Sequence, residues 1–204
     1  MTWAAAMVQT SGLWLLDHGF SYEGVDVSAQ AVEEAREPGL PAGRIDDASR
    51  LPIEGGSFDV VVCVEVLEHV FARLDAVREM SRVLRPGGLL NVTVPNVAYW
   101  RPRGDMALMG RWDPVRDDRA VSEPWRDQHI RSFNAGSMRR MIVAAGRSPV
   151  VVGAHAGGVL RDVPWLSPRF RHGEPSRPYR WLESALPALF GATLHAVTRR
   201  VVTP

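Results

Sequence analysis

The 204-residue sequence predicts an α/β fold, a doubly wound and mostly parallel sheet with helices on its faces. Three observations carry this. Phe58–Val64 is apolar apart from Asp59 and has the length of a strand buried in a sheet. Short apolar strands alternate with stretches of helical period, as crossover-connected parallel strands do. Glycine–proline punctuation separates them at Pro38-Gly39 and Pro86-Gly87-Gly88, with a Gly55-Gly56-Ser57 turn between.

Taken in order, residues 3–18 read as helix, with Trp3, Met7, Val8, Leu13, Trp14, Leu15 and Leu16 interrupted only by Gly12. Phe20 to Val25 is a short strand ending at Asp26. Ser28 is a good N-cap for a helix running to about Glu37, with Glu33 and Glu34 in its early turns. Gly43 to Ile45 is the next strand, followed by Asp46-Asp47. After Phe58–Val64, the apolar positions Phe71, Leu74, Val77, Met80, Val83 and Leu84 share one helical face. Arg85-Pro86-Gly87-Gly88 turns into a strand from Leu89 to Val94, closed by Pro95-Asn96. Residues 97–131, rich in Trp, Arg, Asp and Pro and without a period, read as an insertion over the ligand edge of the sheet. Helix returns at about 135–146 and strand at Val150–Val152. Residues 156–180 are a basic Gly/Pro/Arg loop, residues 181–190 a short helix, and Ala192 to Val202 the final strand. All of this forms one domain over 1–204.

Composition bounds the function. Apolar residues make up 46 % and charged residues 23 %, as in a water-soluble chain with a core. A net charge of +1 excludes a general polyanion binder, and no nucleic-acid motif is present. All 24 basic residues are arginine, so no lysine base or Schiff base is available. The single cysteine, Cys63, excludes a disulfide framework and fits a cytoplasmic setting. The first residues lack the basic region of a signal peptide, and no apolar run is long enough for a transmembrane segment. The arginines of 156–180 read as a solvated loop, with phosphate or an anionic lipid surface as the other reading.

Chemistry concentrates at the carboxyl ends of the strands, where open α/β sheets bind ligands. Asp26 ends a strand before a helix cap; it can accept from two ribose hydroxyls or be an ordinary strand-end carboxylate. Asp47-Ala48 follows the next strand, with Asp46 as the alternative one residue earlier. Glu65, Glu68 and His69 stand at i, i+3 and i+4 and share one face if the chain turns helical after Val64. Two carboxylates and an imidazole can hold a divalent cation such as Mg²⁺. The other readings make His69 or His129 a general base, or His69 structural. Asn96 is either a substrate contact or a turn residue. Tyr99, Trp100, Trp112 and Trp125 either enclose the acceptor or form the insertion's own small core.

Gly24-Val25-Asp26-Val27-Ser28, Leu51-Pro52-Ile53, Phe58–His69, Leu84–Gly88 and Val94-Pro95-Asn96 occur in the order and spacing of a known family. From about Gly19 to Arg200 the chain resembles class I S-adenosylmethionine (SAM) dependent methyltransferases of the type 11/12, ubiquinone-methyltransferase-like group. The resemblance implies a Rossmann-like methyltransferase sheet with a lid, and SAM as cofactor. It implies that Asp26 holds the ribose, that Asp47 accepts from the adenine amino group with the Ala48 amide on a ring nitrogen, and that Glu65 borders the cofactor. The Glu65–His69 run also resembles catechol and small-RNA 2′-O-methyltransferases in which a metal grips substrate hydroxyls and a later His completes the site, which implies His129 as the fourth ligand after Glu65, Glu68 and His69.

The resemblance departs at the front. The family's first, central strand and its Gly-x-Gly-x-Gly loop should precede Gly19, with the loop near residues 5–9. Ala5, Ala6, Met7, Val8 and Gln9 stand there instead. The sheet is therefore expected to lack its first strand and to show a gap.

The expected function is SAM-dependent methylation, O-directed, of a small-molecule acceptor, with His69 or His129 taking the acceptor proton and Asn96 and Trp100 facing it. The alternative is a non-catalytic methyltransferase-like partner or sensor subunit, which could form a homodimer through surface left by the absent strand. A nicotinamide oxidoreductase also needs a glycine-rich loop and explains neither Glu65–His69 nor Pro95-Asn96.

Overall fold

A computed structural model describes residues 9–110, 129–155 and 186–200. The elements are α1 (Gln9–Asp17), β1 (Gly24–Asp26), α2 (Ala29–Arg36), β2 (Ala42–Arg44), β3 (Phe58–Val64), α3 (Arg73–Val83), β4 (Leu84–Pro95), α4 (Trp100–Met109), α5 (Ala135–Ala144), β5 (Ser148–His155), α6 (Pro187–Phe190) and β6 (Thr193–Arg199).

The strands form two sheets. β1 pairs parallel with β2, Asp26 opposite Arg44. The other sheet has the order β3-β4-β6-β5: β3 and β4 are parallel, and β6 runs antiparallel between β4 and β5. Among the described residues no strand joins β1 to β3. Residues 1–8, which precede α1, lie outside the described residues.

Alternation within β3 and β4 sorts their side chains between the two faces. Val61, Cys63, Leu90 and Val92 are wholly buried, as are Val77 and Met80 of α3 and Met138 and Ile142 of α5, and all share one core. Each such side chain contributes about 1.5–3 kcal/mol by leaving water. Burial pushes the Cys63 thiol up, which keeps it protonated and inert.

A separate cluster joins Tyr22 and Leu40 to Leu13, Leu15 and Leu16 of α1. Gly12 permits that contact, because a Cβ there would sit 2.9 Å from a Leu40 methyl. Helix caps follow the sequence: Ser28 accepts from the Ala31 amide. Asn134 and Ser137 form a reciprocal capping box at the start of α5.

Several boundaries differ from the sequence expectation. Phe20 lies outside β1 and is half exposed. Leu84 to Gly88 belong to β4, because Leu84 already pairs with Phe58 before a register shift. Residues 65–70 form turns rather than helix: the His69 amide bonds Val66 O, the Val70 amide bonds Leu67 O, and α3 starts only at Arg73. Of the insertion, 111–128 lie outside the described residues, as does the basic loop 156–180. No helix among the described residues is long and apolar enough to cross a membrane.

The loop after β2 is held from α3. The Leu51 amide donates to Glu79 Oε1 (2.9 Å), and Arg82 Nη2 donates to Ile53 O (2.6 Å) and to Glu79. Arg82→Ala is therefore expected to lower stability by about 1–2 kcal/mol in urea unfolding. An unchanged midpoint would show that this loop is held by packing alone.

Candidate active site

The carboxyl ends of β1, β3 and β4 carry the predicted site. Asp26 closes β1, and its Oδ1 accepts from the Ser28 amide at 2.8 Å, which fixes the carboxylate at the strand end. Asp47 is exposed; the Ser49 amide and hydroxyl both bond its carboxylate and hold it below the usual carboxylate range. Ala48 is buried beside Leu51. Asp26 thus closes β1, and Asp47 follows the neighbouring parallel strand β2 by three residues. Residues 5–8, most of the segment expected to carry the glycine loop, lie outside the described residues.

Glu65 follows β3 with φ of 51°, the left-handed region, and is the only non-glycine there among the described residues. Backbone held in that region clusters at functional sites. Its amide donates to Thr93 O, which anchors the turn to β4.

Glu68 is 1 % exposed, and neither carboxyl oxygen has a hydrogen-bond partner. Burial, with the charge of Glu65 adding to it, pushes its pKa up to about 8. His69 Nε2 lies 3.9 Å from Glu68 Oε1, beyond hydrogen-bond reach. The His69 ring meets the His129 ring with centroids 4.5 Å apart and planes 40° apart. His129 arrives from a distant part of the chain because the Ile130 and Arg131 amides both donate to Glu68 O, at 3.0 and 3.2 Å.

Ligand atoms of Glu68, His69 and His129 lie within 4.8 Å of one another. Glu65 is outside this trio. That corrects the four-residue metal set expected from the sequence: without a helix after Val64, Glu65 does not share a face with Glu68 and His69.

Asn96 is also corrected. It is 1 % exposed, its Nδ2 donates to Gly191 O (2.6 Å), and its Oδ1 accepts from the Ala98 amide (3.0 Å). Both ends of the amide serve backbone, so Asn96 is the turn residue and not the substrate contact. Tyr99 and Trp100 pack edge to face, 6.0 Å apart, in a small cluster with Phe190 and Ala192. Both cluster partners lie outside the insertion, and the Trp100 indole N–H is buried with no hydrogen-bond partner. Trp112 and Trp125 lie outside the described residues.

Sequence reasoning did not find the tie between Glu68 and residues 130–131, because it is made by backbone. It also missed the burial of Glu68; the apolar neighbours Leu67 and Val70 are the only local signal.

Residues 9–92 match the methyltransferase domain family. The chain is 39 % identical over 115 residues to 2-methyl-6-phytyl-1,4-hydroquinone methyltransferase of Synechocystis sp., covering 53 % of this chain and 34 % of that protein. It is 34 % identical over 131 residues to ubiquinone biosynthesis O-methyltransferase of Caulobacter vibrioides, covering 58 % of this chain and 50 % of that protein. The chain thus spans a third to a half of the length of these relatives. In three dimensions it resembles a SAM-dependent methyltransferase from Mesorhizobium loti, with a TM-score of 0.65 at 19 % identity over 98 % of this chain and 89 % of the other. A second likeness is to the putative methyltransferase solved in complex with the Haloferax volcanii Trm112 activator, with a TM-score of 0.62 at 17 % identity over 98 % of this chain and 82 % of the other. Over residues 9–92 the chain is thus similar in sequence to the methyltransferase domain family, and its fold is the one seen in solved SAM-dependent methyltransferases.

Proposed function

We propose that this chain methylates the hydroxyl of a small-molecule acceptor. The observation that carries this reading is the His69–His129 ring pair beside the buried Glu68, in the turns that follow β3. SAM supplies an electrophilic methyl group when bound. Asp26, Asp47, Ala48 and Glu65 are the residues that would hold its adenosine half. An imidazole of the pair accepts the acceptor's hydroxyl proton as the oxygen takes the methyl, and the second ring orients the first. Glu68, kept neutral by burial, places no negative charge beside the pair. The Trp100 N–H is a donor for a further polar group of the acceptor. Positioning carries most of the rate in such a transfer.

SAM titration by calorimetry tests this reading. Binding in the micromolar range is expected, weakened at least about tenfold in Asp26→Ala, the loss of a charge-assisted pair of hydrogen bonds. Absence of binding would favour the alternative, a non-catalytic partner or sensor subunit.

The close approach of Glu68, His69 and His129 favours a second reading, a divalent ion at this trio. Two imidazoles and one carboxylate suit a borderline ion such as Mn²⁺ or Zn²⁺ better than Mg²⁺.

A further inference from the structure

The start of α3 and one side of α5 border a groove of about 430 Å³. Phe71, Leu74 and Phe133 make it apolar, and Phe71 is 76 % exposed. Arg73, Arg131 and Arg140 also line it. Its one carboxylate, Asp75, is already engaged by Arg78 at 3.0 Å. Among the described residues, Arg73 and Arg140 have no ion-pair partner, and Arg131 has only the Ile130 carbonyl oxygen. An apolar groove rimmed by three guanidinium groups is electrostatically incomplete.

The groove adjoins the proposed chemistry. Phe71 stands two residues after His69 and Arg131 two residues after His129. Two residues of chain span at most about 7 Å. The Arg131 amide is moreover fastened to Glu68 O.

We propose that this groove anchors the acceptor, and that the acceptor has an apolar body and a terminal carboxylate or phosphate. The assignment rests on the methyl-transfer reading above. Guanidinium forks match carboxylate and phosphate oxygens. A volume of this size suits a small molecule. With the anion on the arginines and the body against Phe71 and Leu74, the reacting hydroxyl reaches His69 and His129.

Calorimetry with 1-naphthyl phosphate, 1-naphthol, inorganic phosphate and phosphatidylglycerol vesicles tests it, alongside the imidazole resonances in NMR. 1-Naphthyl phosphate is expected to bind at least about tenfold more tightly than either fragment, the gain from joining two contacts in one molecule. Arg140→Glu and Phe71→Ser should each weaken it at least about fivefold and leave SAM binding unchanged. The ring signals of His69 and His129 should shift, and those of His18 and His195 should not. Equal binding of inorganic phosphate, or equal affinity in both variants, would overturn the site. Vesicle binding without 1-naphthyl phosphate binding would replace it with a membrane surface. Binding without shifts at His69 and His129 would overturn the link to the acceptor. If the chain binds 1-naphthyl phosphate as expected but not SAM, the methyl-transfer reading and the acceptor assignment fail together, and the anionic site stands.

Discussion

Replacing Glu68 with glutamine is expected to raise the melting temperature by about 5–10 °C at pH 8 and to leave it almost unchanged at pH 5. The carboxyl is wholly buried without a hydrogen-bond partner, and its pKa is pushed up to about 8. In the unfolded chain it titrates near the ordinary glutamate value of about 4.3. Between those two values the folded state binds a proton that the unfolded state releases. The contribution of Glu68 is therefore most favourable below the unfolded value, and it declines as pH rises toward 8. Glutamine has the same shape and no charge to neutralise, so it escapes the decline. The gain at pH 8 is of order 2–4 kcal/mol. Calorimetric scans of both proteins from pH 5 to 9 in EDTA measure it. A difference that stays flat across that range would show that Glu68 is ionised throughout.

The second large effect concerns turnover. His69→Ala and His129→Ala are each expected to lower methyl transfer to a hydroxylated acceptor by about 10²–10⁴-fold, the usual worth of a general base. SAM affinity should stay within about twofold, because neither ring lies among the residues assigned to the adenosine half. The double variant should be little worse than the worse single one, since the two rings act as a unit. Radiolabelled methyl transfer with a panel of phenols and catechols reads this. Activity retained in both single variants would sink the base assignment. An EDTA arm separates the two readings of the trio: loss restored by Mn²⁺ or Zn²⁺ means a metal site, and indifference to EDTA means an imidazole base.

Much of the fold was legible because local rules and tertiary packing agree. Ser28 as N-cap, the α3 face of Val77, Met80 and Val83, and the buried alternation of β3 all follow from the residues themselves. Legibility ended where a residue's role depends on a partner far away in the chain. Asn96 in a strand-end motif gave no sign that Gly191 would take its amide. Glu65, Glu68 and His69 have the spacing of one helical face, but tight turns after Val64 break that face and leave Glu65 apart.

The sequence by itself determined the α/β class, the order of strands and helices, and which carboxylates and imidazoles stand at strand ends, because periodicity, caps and turn residues are local properties. Only the tertiary structure decided that His129 faces His69, that Glu68 is buried without a partner, and that three arginines rim one apolar groove. Those facts depend on contacts between segments far apart in sequence, where burial and distance are set by packing of the whole chain and not by neighbouring residues.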